Sequence, residues 1–141
     1  MIGVIGANGN VGREIIDILS KSDEKVVAIT RDSKPLETSG NISWRNGDLY
    51  DDKSLIDALT RCKKIYFFIP LNIKTEDFFR DINKALDSFL IATKETKPDY
   101  VIALSSLGAD VKEDIGMFNM SQMIENRLSN QSFKTTFIRP A

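Results

Sequence analysis

The sequence predicts an α/β fold in which six strands form a doubly wound parallel sheet. Apolar runs of strand length alternate with amphipathic helical patterns or loops, which is the arrangement that a parallel sheet with crossover connections requires. A glycine-rich turn separates the first apolar run from the first helical pattern. Right-handed crossovers then predict the strand order 3-2-1-4-5-6. The predicted strands are residues 2–5, 25–30, 42–45, 64–69, 99–104 and 133–138.

The glycine-rich turn is the strongest functional signal in the chain. Residues 6–12 read GANGNVG, and the order of strand, glycine turn and helix is that of a dinucleotide-binding unit. The alternative is that the glycines only form a tight turn. A Walker A loop is excluded, because no Lys-Ser or Lys-Thr follows the last glycine. We expect the pyrophosphate to be held by Gly6, Asn8, Gly9, Asn10, Val11 and Gly12.

Each glycine of this turn has a predicted role. Gly6 allows a sharp turn, Gly9 lets the backbone approach a phosphate, and Gly12 lets the helix lie close to the sheet. The free N–H groups of the first helical turn then point at the phosphates. The apolar pattern of the helix that follows consists of Val11, Ile15, Ile18 and Leu19.

The composition and net charge of the chain limit the kinds of protein that it can be. A chain of 141 residues with 42% hydrophobic residues predicts one globular domain. The net charge of −1 gives no basic footprint for nucleic acid or an anionic membrane, and no apolar run approaches a membrane span. The single cysteine, Cys62, and the lack of a basic leader favour the cytoplasm. The lack of histidine removes the commonest general base and metal ligand, and no metal site is expected.

The end of the second strand bears on the choice of dinucleotide. NAD-specific sites place an acidic residue there for the ribose 2′-OH, whereas this chain has Thr30-Arg31. An arginine pairs well with a 2′-phosphate, so the sequence favours NADP(H) over NAD(H), with Lys34 as a further cation. If Asp32 occupies the strand end instead of Thr30, the preference turns to NAD. Arg31 can also be an ordinary exposed arginine.

The loops after the third and fourth strands are further candidates. The turn at residues 46–49 is expected beside the adenine, where Asp48 and its neighbour Leu49 contact the base; alternatively, Asp48 only stabilises its own turn. Asp51 is predicted to cap a short helix. After the fourth strand, Ile69 is followed by Pro70-Leu71, and these three residues are expected to form a wall of the cofactor site, because ligands of open α/β sheets bind beyond the carboxyl edge.

The second half of the chain has two predicted helices and two strands. Residues 75–94 form the longest helix, with Glu76 and Asp77 in its first turn, and residues 116–129 form another. Ser105 and Ser106 lie at the carboxyl end of the fifth strand. Their hydroxyls are placed to meet a nicotinamide or a substrate, or alternatively to cap the next turn.

The motifs together resemble the NmrA-like family of atypical short-chain dehydrogenase/reductases. Five segments carry the resemblance: residues 6–12 (GANGNVG), 30–32 (TRD), 47–51 (GDLYD), 105–109 (SSLGA) and 139–140 (RP). The resemblance implies a Rossmann domain that binds NADP(H) or NAD(H), with the glycine loop on the pyrophosphate and Arg31 on the adenosine ribose or its phosphate. It also implies either an NADPH-dependent reductase of a small quinone-like acceptor or a redox sensor that acts through a partner protein.

Two departures from the family pattern qualify this expectation. None of the three tyrosines has a lysine four residues on, so the Tyr-x-x-x-Lys pair of classical members is absent. Glu125-Asn126 occupies the place of the family's Glu-Lys pair. Family members are also roughly twice as long, which implies that this chain carries the cofactor half and lacks most of the substrate half. A fragment without independent activity is therefore a third alternative, and exposed apolar surface on such a sheet favours a homodimer.

Overall fold

The computed structural model describes residues 1–31, 38–70, 74–111 and 118–140. Six strands form one parallel sheet with the order β3-β2-β1-β4-β5-β6, as predicted. Each strand end agrees with its predicted position to within one residue, except the end of the fourth strand. The strands are β1 (Ile2–Ile5), β2 (Val26–Thr30), β3 (Ile42–Asn46), β4 (Lys64–Phe67), β5 (Tyr100–Leu104) and β6 (Lys134–Ile138).

Four helices connect the described strands: α1 (Asn10–Ser20), α2 (Asp52–Leu59), α3 (Phe78–Thr96) and α4 (Phe118–Ser129). The predicted cap of α2 is confirmed, because the Asp51 carboxylate accepts a hydrogen bond from the Ser54 N–H at 3.1 Å. The predicted start of α4 at residue 116, together with Asp32, Lys34 and Leu71, lies outside the described residues. No helix in the described part of the chain is long and apolar enough to cross a membrane.

In the middle of the sheet, between β1 and β4, the order in which strands are added changes from one side to the other. In the register of the sheet, Val4 of β1 lies between Ala28 of β2 and Tyr66 of β4. The chain proceeds from β1 outward to β3, and then returns to β4 and proceeds the other way. Loops leaving β1 and β4 therefore diverge, and a crevice opens at the carboxyl ends of these strands.

The two faces of the sheet are covered unequally. Three helices, α2, α3 and α4, pack on one face around a large apolar cluster that includes the stacked rings of Phe67 and Phe89. Cys62 is fully buried in this cluster, and burial raises the pKa of its thiol. On the other face α1 packs over β1 and β2. Farther along this second face, Ile102 and Ile138 remain exposed.

The buried side of α1 differs from the predicted apolar pattern. Val11 and Ile18, two members of the predicted apolar pattern, are 49% and 66% exposed. Gly12 is buried instead, and the helix packs on the sheet through Ile15, Ile16 and Leu19. Residues three, four and seven positions after Gly12 lie on the same face of the helix. The close contact of Gly12 with Gly6 and Ala7 therefore determines which side of α1 is buried.

The fourth strand and the third helix also differ from their predicted limits. β4 ends at Phe67, not at Ile69, because its neighbour β1 ends at Ile5 and Gly6 turns away with a φ of +74°. The first turn of α3 begins at Phe78, because Asp77 is the N-cap and its carboxylate accepts from the Arg80 N–H at 2.9 Å. Glu76, predicted in the first turn of this helix, therefore precedes it.

Candidate functional site

The glycine loop forms a tight connection between β1 and α1. Gly6 has a φ of +74°, a conformation that side-chain-bearing residues rarely adopt. A Cβ atom on Gly12 would lie 2.2 Å from the Gly6 carbonyl oxygen and 2.8 Å from the Ala7 Cα atom. The absence of a side chain at residue 12 thus allows α1 to begin directly against the end of β1. These contacts agree with the predicted roles of both glycines.

The N-terminus of α1 has the features of an anion site. Gly9 is the N-cap and offers no side chain to cap the helix, and no acidic residue lies in the first turn. The Arg13 N–H makes the first bond of the helix, to the Gly9 carbonyl at 2.9 Å. The N–H groups of Asn10, Val11 and Gly12 precede this bond and lie at the positive end of the helix dipole. Such an end is suited to a phosphate group.

Asn8 joins the glycine loop to the end of β2. Its side-chain amide donates a hydrogen bond of 2.9 Å to the Thr30 hydroxyl. The N–H groups of Gly6 and Ala7 both donate to the Ile29 carbonyl at 3.1 Å. These three bonds hold the loop against β2. Because Thr30 is the last residue of that strand, Arg31 is the first residue beyond it.

The loop after β3 is held by its own polar groups. The Asp48 carboxylate accepts from the Tyr50 N–H at 2.9 Å, and the Asp48 N–H donates to the Ser54 hydroxyl at 3.0 Å. The Gly47 N–H donates to the Thr30 carbonyl at 3.0 Å. Asp48 therefore stabilises its own turn, as one of the two predicted alternatives states. A role in binding adenine stays a prediction.

A cavity of about 280 Å³ opens at the carboxyl edge where these loops meet. The predicted site residues that line it are Gly6, Asn8, Gly9, Arg31, Asp48, Leu49 and Pro70. The loops after β1, β2, β3 and β4 all contribute, so the fold brings the glycine loop, the arginine and the aspartate to one side of the sheet. The cavity lies at the topological switch point, where open α/β sheets bind their ligands.

Other predicted site residues lie outside the lining. Ile69 is 5% exposed and belongs to the core on the three-helix face. Leu71 lies outside the described residues. Asn10, Val11 and Gly12 form the first turn of α1, directly after Gly9, which lines the cavity. Binding of a phosphate by their N–H groups stays a prediction.

The serines after β5 are engaged by α4. The Ser105 hydroxyl donates to the Glu125 carboxylate at 2.6 Å, and the Ser106 and Ser121 hydroxyls are 2.7 Å apart. Arg139 binds both oxygens of Glu125, at 2.8 Å and 2.6 Å. These bonds join the carboxyl ends of β5 and β6 to α4. A contact of Ser105 or Ser106 with a cofactor stays a prediction.

Two aromatic residues line the cavity although the sequence did not predict them as site residues. Tyr50 and Phe68 contribute to the lining, together with Ile5, Ile29, Thr30 and Gly47. Tyr50 directly follows the predicted Asp48-Leu49 pair, and Phe68 directly precedes the predicted Ile69-Pro70 pair. Their position next to predicted site residues is the one feature of the sequence that could have indicated them. Partial burial raises the pKa of the Tyr50 hydroxyl, the carboxylates of Asp81 and Asp48 raise it further, and Arg31 lowers it. The hydroxyl therefore remains protonated at neutral pH and can donate or accept a hydrogen bond.

The chain belongs to the family described as NAD(P)H-binding, whose model matches residues 6–141. No curated protein matches the sequence.

Several solved structures share the fold. Triphenylmethane reductase from Citrobacter sp., complexed with NADP(H), has a TM-score of 0.85 and 21% identity, with 100% of this chain and 49% of that chain covered. A nucleoside-diphosphate-sugar epimerase from Staphylococcus aureus has a TM-score of 0.81 and 20% identity, with 98% and 49% covered. An NADPH-dependent quinone oxidoreductase from Escherichia coli, complexed with NADPH, has a TM-score of 0.74 and 22% identity, with 99% and 48% covered. The chain thus spans about half the length of each protein.

Proposed function

We propose that this member of the NAD(P)H-binding family is an NmrA-like protein that forms the cofactor-binding part of an NADPH-dependent reductase, acting on a small quinone-like acceptor. The observation that carries the proposal is the cavity at the carboxyl edge, where the glycine loop, Arg31 and Asp48 meet. The five motifs of the NmrA-like resemblance support the family assignment. The reductases of the same fold, one complexed with NADP(H) and one with NADPH, support the type of reaction.

The end of β2 supports NADP(H) as the preferred dinucleotide. Thr30 is the final residue of the strand, so the position at which an acidic residue would bind a ribose 2′-OH is taken by a neutral side chain. Arg31 follows and lines the cavity. A guanidinium group at this place pairs with a 2′-phosphate, which a carboxylate would repel.

The residues of this chain bind and orient the dinucleotide in the proposed function. The first turn of α1 faces the pyrophosphate, Arg31 faces the 2′-phosphate, and the Asp48 carboxylate accepts a hydrogen bond from the adenine amino group. When bound, the reduced nicotinamide supplies a hydride. Transfer to a quinone does not require the absent Tyr-x-x-x-Lys pair, because water can deliver the proton to the reduced acceptor.

Calorimetric titration with NADPH and, separately, with NADH tests the proposed site. We expect Arg31→Glu to weaken NADPH binding by about 30-fold or more, since a charge-assisted contact is replaced by repulsion, and to change NADH binding by less than about threefold. Arg61→Glu, an equal charge change at an exposed residue between α2 and β4, should leave both affinities unaltered. Equal losses for the two dinucleotides in Arg31→Glu would contradict the assignment of the 2′-phosphate.

A non-catalytic redox sensor is the second candidate. It is favoured by the sequence, which lacks the Tyr-x-x-x-Lys pair, and by the serines after β5, whose hydroxyls are bound to α4. A sensor should bind NADP⁺ and NADPH with unequal affinity and consume neither, because only a differential affinity can shift a conformational equilibrium. Steady-state oxidation of NADPH with a panel of quinones separates the two candidates: turnover supports the reductase, and unequal binding without turnover supports the sensor.

A further inference from the structure

Glu125 lies at the centre of a polar network that joins three elements. Its side chain is 12% exposed and accepts hydrogen bonds from Ser105 after β5 and from Arg139 after β6. Both carboxylate oxygens are used by the planar guanidinium group, the geometry in which arginine binds a carboxylate most strongly. The Ser105 N–H also donates to the Ile138 carbonyl at 2.8 Å. The ends of β5 and β6 are thereby held to each other and to α4.

The charged groups of the network are the Arg139 guanidinium and the carboxylates of Glu125 and Asp110. Hydrogen bonds from Arg139 lower the pKa of Glu125, and the Ser105 hydroxyl lowers it further, against the effect of burial. The carboxylate is therefore ionised and paired with the guanidinium group, which also lies 3.8 Å from the Asp110 carboxylate. Removing Arg139 would leave the largely buried Glu125 carboxylate without a compensating charge.

The Glu125 network lies at the same edge of the sheet as the cavity, one strand farther along. The cavity extends from the loop after β3 to the loop after β4, and β5 is the next strand beyond β4. Neighbouring strands are about 4.8 Å apart, so the end of β5 is about 10 Å from the end of β1. A dinucleotide with its adenosine over β2 and β3 and its pyrophosphate at the glycine loop directs its other half toward β4 and β5.

We propose that Glu125 is a positioning residue that holds the carboxyl ends of β5 and β6 as the wall against which the nicotinamide half of the dinucleotide rests. This inference rests on the proposed function. It assigns the two halves of the ligand to separate parts of the sheet. The adenosine half depends on the loops after β1, β2 and β3, and the nicotinamide half depends on the Glu125 network. Loss of the network should therefore affect only ligands that carry a nicotinamide.

Binding of two ligands to matched variants tests the inference. The ligands are NADPH and 2′,5′-ADP, which has the adenosine and the 2′-phosphate but no nicotinamide. Glu125→Gln should weaken NADPH binding by about fivefold or more and leave 2′,5′-ADP binding within about twofold of wild type. Asp87→Asn is the control, since it breaks the 2.5 Å ion pair of Arg127 that joins α4 to α3, away from the strand ends. It should leave both affinities unaltered.

The pattern of results distinguishes the proposals. If Glu125→Gln keeps both affinities, or lowers both equally, the positioning role is wrong and the proposed function is unaffected. If the wild-type chain does not bind 2′,5′-ADP, the proposed function fails, and the inference fails with it. Arg139→Lys is a second variant that retains the positive charge but loses the two-pronged contact, and it should weaken NADPH selectively even if Glu125→Gln does not fold. A change in the emission spectrum of bound NADPH in either variant would support an altered nicotinamide environment.

Discussion

Alanine substitutions of Gly12 and Gly9 should separate two roles of the glycine loop, the close packing of α1 on the sheet and the proposed binding of the pyrophosphate. A Cβ atom at residue 12 would lie 2.2 Å from the Gly6 carbonyl oxygen, whereas real Cβ atoms essentially never approach within 3.0 Å. Both of the nearest residues, Gly6 and Ala7, oppose it with backbone atoms, which cannot rotate aside. α1 must therefore shift on the sheet. We expect the free energy of unfolding to fall by about 3 kcal/mol, the upper end of the range for overpacked cores.

Gly9 provides the matched comparison. A Cβ atom there would lie 3.2 Å from the Gly6 carbonyl oxygen, and the φ of −75° suits any residue. Gly9→Ala should cost less than about 1 kcal/mol of stability, because a shift of a few tenths of an ångström relieves the contact. Its methyl group nevertheless occupies the cavity edge that the proposed function gives to the pyrophosphate. NADPH binding should therefore weaken by about tenfold or more, and Gly9→Val should abolish it.

Urea denaturation and calorimetric titration of the two alanine variants check this reasoning. Gly12→Ala should unfold at a clearly lower urea concentration and at a temperature lower by on the order of 10 °C. Wild-type stability of Gly12→Ala would refute the argument that residue 12 needs a glycine for close packing. Wild-type affinity of Gly9→Ala and Gly9→Val for NADPH would show that the loop is not the pyrophosphate site.

Three further predictions concern single residues. Asp51→Ala should lower the free energy of unfolding by about 1 kcal/mol in urea titrations, because the Ser54 N–H loses its cap, and Asp51→Asn should restore most of the loss. Tyr50→Ala should weaken NADPH binding by about tenfold in calorimetry if the ring stacks on the adenine, whereas Tyr50→Phe should bind like the wild type. Arg139 lowers the pKa of Glu125 in the folded chain. The ionised Glu125 carboxylate therefore stabilises the fold at pH values above its pKa in the unfolded chain, and this stabilisation is lost as the pH falls through its pKa in the folded chain. The free energy of unfolding of Glu125→Gln should consequently change less than that of the wild type between about pH 5 and pH 3, and equal slopes in acid denaturation would contradict the assignment.

The sequence alone determined the order of the elements and the topology of the sheet. Strands and helices differ in the period of their apolar residues, and both periods are local properties of the chain. Turns and caps are local as well: Gly6 with its positive φ and Asp51 with its bond to Ser54 were predicted from residue type and position. Given alternating strands and helices, the right-handed crossover rule leaves few arrangements, and the observed order is one of them.

Only the tertiary structure decided which surfaces of these elements meet. The buried side of α1 follows from the contact of Gly12 with Gly6, not from the most apolar stripe, and Ile18 is exposed as a result. β4 ends early because its neighbour turns away. Tyr50 enters the cavity, and the Ser105 hydroxyl turns to Glu125, because elements distant in the sequence place these groups side by side. Periodicity and residue type describe one segment at a time, whereas such contacts depend on the relative placement of several segments, which packing of the whole chain establishes.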